Sequence, residues 1–335
     1  MLLLATSFVE LPSRLGAIFY NVVGPILLLA AIGWVLQRRF GLHMDTLRRL
    51  CFHFVIPPMT YYSLLTTPLT LSDAAIIVAF CLASLAALAA LTYVVARLRR
   101  VPRDVVGVMM MTTFLHNSGN YGLPLQRLAF RDAARGEAAM AYQVVVMVTQ
   151  SFLTFTVGVL TVSAGRADRH WRQNLMHIAK FPPLYGLAAA LATMAVRQWL
   201  APPQLVTAER AMAPFWDVIV YIKDAFVPIA LLTLGAQLGV VGGARRDYPV
   251  TASVLLRLLA GPAIGLGVIH LMGLGGFLAQ VLLISSSTPT AVNCLLLCLE
   301  FDNHPDYAAR AVFYSTLLSP ITVTLAIFLA QSGAV

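Results

Sequence analysis

Two short stretches of this sequence place polar side chains among neighbours that are almost wholly apolar. One runs His116, Asn117, Ser118, Gly119, Asn120, Tyr121, Gly122, Leu123 and Pro124. The other runs Ser285, Ser286, Ser287, Thr288, Pro289 and Thr290, with Asn293 shortly after. The chain holds no HExxH, no GxSxG, no paired catalytic aspartates and no phosphate-cradling loop, so no enzyme is expected. The residue types suit non-covalent capture of an anion instead. Asn117, Asn120 and Asn293 offer amide N–H donors without a permanent charge. Glycine and proline interrupt helices, and a helix that restarts presents free N–H groups and roughly half a positive elementary charge at its amino end.

The elements that carry these stretches follow from composition. Of 335 residues, 59% are hydrophobic and 11% charged, against about 45–50% and about 25% in soluble domains. The natural solvent is therefore lipid. Apolar segments run at 15–37, 47–66, 73–96, 104–130, 138–163, 181–199, 214–240, 250–272, 276–300 and 307–330, each near the roughly 20 residues that a spanning helix needs. An all-α membrane protein of ten segments results, with no room for the soluble domain that a membrane-embedded sensor would bring. The formal charge of +9 lies in the gaps between segments and forms no basic stripe, so nucleic acid is not an expected partner, and membrane lipid is. Cys51, Cys81, Cys294 and Cys298 all lie within apolar segments and suggest neither disulfides nor metal ligands. Met1 to Phe8 is apolar but has no basic flank, so no cleaved signal peptide is expected.

Basic residues are retained on the cytoplasmic side during insertion. Fifteen of them fall in the odd-numbered connections, among them Arg38, Arg39, Arg97, Arg99, Arg166, Arg169, Arg245 and Arg310. Only six, Arg14, Arg127, Arg131, Arg135, Arg197 and Arg210, fall on the other side. Both termini are predicted outside the cytoplasm. Five segments is an odd number, so a duplicated half would sit upside down relative to the first. Residues 1–163 and 181–335 are predicted as two inverted five-helix repeats, joined by a short cytoplasmic linker at 164–180. Pro25 has a counterpart in Pro183, Pro57 has one in Pro228, and the largest interruption of each half falls in its fourth segment.

Unwound backbone in hydrocarbon leaves polar groups unpaired, so two interruptions at mid-membrane imply a cavity lined by protein or water. Alternatives remain for individual residues. Ser285, Ser286 and Ser287 either line that cavity or merely satisfy a kinked helix. Tyr121 either packs or offers a stacking surface. Lys223, with Asp224 beside it in the outer half of segment seven, attracts the anion, pairs internally or reaches to the surface. His116 is a packing residue or carries a coupling proton. Arg257 anchors its helix or a loop carbonyl. Arg127, Arg131 and Arg135 draw anions to an outer vestibule or form a solvated helix end.

Asn117-Ser-Gly-Asn120-Tyr-Gly122-Leu-Pro124-Leu resembles the fourth-helix motif of the auxin efflux carrier family. Thr288-Pro289-Thr290-Ala-Val-Asn293, with the acidic link Glu300 to Asp306, is similar to its ninth-helix motif. Pro228 to Gly235 and Arg257 to Pro262 extend the likeness over nearly the whole chain. The resemblance implies a fold like that of the sodium/bile-acid symporters, with broken helices four and nine crossing. Segments 1, 2, 6 and 7 form a scaffold, and segments 3–5 and 8–10 a mobile transport domain. It also implies a secondary transporter that binds an organic anion near Asn117, Pro124 and Pro289; with the other polar and small residues of the two interruptions, the expected site is Asn117, Gly119, Asn120, Tyr121, Gly122, Pro124, Ser286, Ser287, Thr288, Pro289, Thr290 and Asn293. Bacterial members are associated with malate or malonate, and plant members with auxin, whose long middle loop this chain lacks. A sodium-coupled symporter of bile-acid-like molecules is the competing reading. No cofactor is expected, H+ and Na+ both stand as coupling ions, and the family's dimers imply a homodimer. With 21 arginines to two lysines, the cytoplasmic membrane of a bacterium is the expected location.

Overall fold

The computed structural model describes residues 10–67, 69–130, 132–162, 182–199, 202–240 and 249–335. The expected linker at 164–180, Arg131, Arg245 and Arg246 lie outside them. Among the described residues the chain is helical, without strands. Among these residues six helices are long and apolar enough to cross a membrane: Leu11–Phe40, Leu71–Leu98, Ala133–Val162, Arg210–Val240, Thr251–Leu271 and Pro305–Gln331. Shorter apolar helices lie at Pro183–Arg197 and Gly276–Ser286. Their outward faces carry Leu28, Leu82, Leu98, Leu160, Leu271 and Ile321, all exposed, an apolar surface that suits lipid and not water. Many buried hydroxyls are satisfied within their own helices, as where Thr92 Oγ1 donates to Leu88 O at 2.6 Å and Thr154 Oγ1 to Gln150 O at 2.7 Å.

Proline shapes the segments in a repeated way. Pro25, Pro57, Pro124 and Pro262 each stand at the second residue of a helix, directly after a π-helical turn at Phe19–Val23, Leu50–Val55, Ser118–Gly122 and Leu256–Ala260 respectively. A proline removes one N–H and crowds the carbonyl four residues earlier, and a widened turn accommodates both. Segment seven starts earlier than its hydropathy suggests: the helix Pro202–Asp224 runs through Arg210 and Pro214 and resumes at Phe226–Val240 after a turn at Ala225. Arg210 therefore lies on a helix and not in a connection.

Two close contacts set the frame. A side chain at Gly33 would strike the backbone of Leu232, and one at Gly235 the backbone of Ala30, so segments one and seven meet backbone to backbone. Segment six approaches segment two similarly, Gly186 lying against Pro57 O. Small residues permit such approaches where lipid supplies no hydrophobic drive between helices. The four cysteines are free and buried.

Candidate functional site

The fourth segment begins as the helix Arg103–Phe114 and the ninth as Gly276–Ser286; both then stop. Gly119, Gly122 and Pro124 in the first case, and Pro289 in the second, make a continuous helix unfavourable. The two interrupted stretches lie against each other. His116 and Thr290 form an isolated antiparallel bridge. Asn117 N–H donates to Pro289 O at 2.7 Å, and Ala291 N–H to Leu115 O at 3.0 Å. Thr290 adds its hydroxyl to Thr112 O at 2.8 Å and its N–H to Ser315 Oγ at 3.1 Å. Each stretch thus supplies the backbone partners that the other lacks, the condition for irregular backbone away from water.

Both segments then restart. The fourth continues through the π-helical turn Ser118–Gly122 into Leu123–Ala129, and the ninth as Asn293–Glu300. Both amino ends border one narrow cleft of about 40 Å³. His116, Asn117, Ser118, Gly119 and Asn120 line it from segment four, and Ala291, Val292 and Asn293 from segment nine. Met147, Gln150, Ser151 and Thr154 of segment five and Phe52 of segment two complete the wall. This volume admits about three waters or a carboxylate group, and no bulky acid as it stands. Asn117 is 6% exposed, and its Nδ2 has no hydrogen-bond partner among the described residues. Gln150 Oε1 is likewise buried and unpartnered. Native proteins seldom leave such groups unpaired, because each costs about 1–3 kcal/mol.

The predicted residues therefore separate into groups. His116, Asn117, Gly119, Asn120 and Asn293 meet at the cleft. The hydroxyls of Ser286, Ser287 and Thr288 turn back to Leu283 O, Ile284 O and Ser285 O at 2.7, 2.6 and 2.8 Å, closing the end of their own helix. Ser285 Oγ lies 3.4 Å from His116 Nε2. Tyr121 is buried in the core, its phenol oxygen accepting from Ser319 Oγ at 3.0 Å. Gly122 N–H donates to Asn117 O at 2.9 Å. Pro124 opens the restarted helix, and Pro289 contributes its carbonyl.

Lys223 and Asp224 are elsewhere. Lys223 Nζ lies 2.8 Å from Glu137 Oε1, 3.0 Å from Asp224 Oδ1 and over the Tyr62 ring, while Arg127 Nε approaches Glu137 at 3.7 Å. Arg135 is held between Phe130 and Phe277 and bonds Gln280. It borders a second, wider cleft of about 470 Å³ with Asn21 and Gln331, but no unpartnered buried donor points there among the described residues.

Sequence reasoning missed three glutamines. Gln143 Nε2 donates to Ser118 O at 2.9 Å, and Gln126 Nε2 donates to Gln143 Oε1 at 3.2 Å and to Val281 O at 2.9 Å, tying segments four, five and nine together. The third is Gln150, on the cleft wall. The signal was present: Gln143, Met147, Gln150 and Thr154 step by four, three and four, one face of a helix.

A family model described as membrane transport protein matches residues 18–327. The chain belongs to this family. It is the family of the auxin efflux carriers, whose members are transporters and not enzymes. A protein named uncharacterized transporter from Methanothermobacter thermautotrophicus is 23% identical over 306 residues, covering 90% of this chain and 94% of that protein. Auxin efflux carrier component 1 of Arabidopsis thaliana is 25% identical over 166 residues, 48% of this chain and 24% of the plant protein. Together with the long apolar helices, the match makes this chain a multi-pass membrane transport protein.

Proposed function

We propose that this transporter moves a small organic anion, a mono- or dicarboxylate such as malate or malonate or an auxin-like acid, by alternating access and without covalent chemistry. One observation carries the reading: the buried, unpartnered Asn117 Nδ2 beside two helix amino ends. A carboxylate oxygen is the acceptor that this amide lacks, and the partial positive charge of the two helix ends favours an anion over a neutral guest. Asn120 and Asn293 add donors, and Gln150, Ser151 and Thr154 face them from segment five. The small volume favours a compact acid over a bile-acid-like one.

The proposed architecture is ten spans in two inverted repeats, 1–163 and 181–335, with segments 1, 2, 6 and 7 as scaffold and 3–5 and 8–10 as the moving part. The packing supports it. An inverted duplication exchanges segments one and six, and two and seven, so the one–seven contact at Gly33 should recur as a six–two contact, as it does at Gly186. Phe52 faces the cleft from segment two, which supports a site between scaffold and moving part, where alternating access requires it. The arginine distribution supports insertion in a bacterial cytoplasmic membrane with both termini outside, and the family resemblance a homodimer.

Counterflow of radiolabelled malonate, malate, indole-3-acetate and taurocholate in proteoliposomes tests the reading. Exchange of at least one small carboxylate and none of taurocholate is expected. Exchange of taurocholate alone, or of no acid, would contradict it.

A further inference from the structure

The amino ends of the restarted helices face the cleft, and the carboxyl ends of the two first halves require their own electrostatic partner. A helix carboxyl end carries roughly half a negative elementary charge. In carriers built from interrupted helices, such ends and unwound carbonyls hold the coupling Na+ or proton. Here a side chain already occupies that position. Arg257, in the π-helical turn Leu256–Ala260 of segment eight, is 2% exposed. Its Nη1–H donates to Thr113 O at 3.2 Å, in the last turn of Arg103–Phe114, and its Nη2–H donates to Ser286 O, the last residue of Gly276–Ser286. Among the described residues it pairs with no carboxylate, and its Nε–H is unpartnered. A buried charge normally has an acid beside it; this one faces two helix ends.

We propose that Arg257 is the resident cation of the site. It permanently supplies the positive charge that an imported Na+ would bring to these carboxyl ends, so the anion moves without sodium coupling. The guanidinium fork suits this role because one group reaches two carbonyls, from segments four and nine, and so holds both broken helices to segment eight. The coupling claim rests on the carboxylate reading above; the occupancy claim does not.

The test compares sodium chloride with choline chloride, both for the melting temperature of the purified protein and for malonate counterflow in proteoliposomes. The wild type is expected to melt at the same temperature in either salt and to exchange at rates within about twofold. Arg257→Lys keeps the charge but loses the fork, and is expected to exchange more slowly with the same indifference to sodium. Arg257→Gln is expected to lose exchange by about tenfold or more and to gain a sodium-dependent rise in melting temperature as the vacated carbonyls accept the ion. A sodium-dependent rise in the wild type, or full exchange by Arg257→Gln in choline, overturns the proposal. Should Arg257→Gln fail to fold, the wild type and Arg257→Lys still decide it. Should the wild type exchange no acid in either salt, the carboxylate reading falls, and the melting comparison alone decides whether the position is taken.

Discussion

The two interrupted stretches have the same backbone logic and opposite side-chain chemistry. In segment nine the hydroxyls of Ser286, Ser287 and Thr288 each reach a carbonyl three residues back, so these three side chains are satisfied within their own segment. In segment four Asn117 gives its N–H and carbonyl to the backbone but keeps its amide N–H groups unpaired at the cleft. Hydroxyls are short and rotate onto their own helix; an amide held on irregular backbone has no such outlet. On the proposed reading one stretch serves as structure, and the other, with Asn293, as a donor set for a guest.

That contrast can be broken by substitution. Asn117→Asp, which places a carboxylate where an anion must sit, is expected to abolish carboxylate exchange, a loss of about a hundredfold or more for the donor and the repulsion together; appreciable exchange would show that the cleft does not hold the anion. Asn293→Ala, removing one donor at the second amino end, is expected to cost about tenfold in apparent affinity, read as the malonate concentration giving half-maximal exchange. Ser287→Ala is expected to change exchange by less than about twofold while lowering unfolding stability by about 1 kcal/mol, and a larger transport defect would restore the serine to the binding site. Lys223→Gln sharpens the same division from outside. Its ammonium is engaged by Glu137 and Asp224, so the half-saturating concentration should hardly move. Stability should fall by about 1–3 kcal/mol, because Glu137 is mostly buried and loses its nearest cation.

The interruptions themselves were legible in the sequence, because glycine, proline and clustered polar residues are costly inside an apolar segment unless the helix breaks there. The stretches at 116–124 and 285–290 both coincide with observed interruptions. What each side chain does there was not legible. Whether Ser287 faces a cavity or the Ile284 carbonyl depends on a rotamer, and whether Lys223 reaches the surface or Glu137 depends on a residue 86 positions away. Gln143 and Gln150, seven apart, share one face of the expected helix of segment five, but nothing in the sequence tells that this face meets segment four. The start of segment seven is hidden because residues 202–213 are too polar to read as part of a span, although Pro214 is tolerated within one continuous helix.

Equilibrium binding of whichever radiolabelled carboxylate exchanges fastest, measured on the purified wild type and on Asn117→Ala, addresses the anion site without the complications of transport. Affinity should fall by about tenfold or more in the variant while its melting temperature without ligand is unchanged or higher, since an unpaired buried amide has been removed. Equal affinity in the two proteins would mean that the guest is held elsewhere.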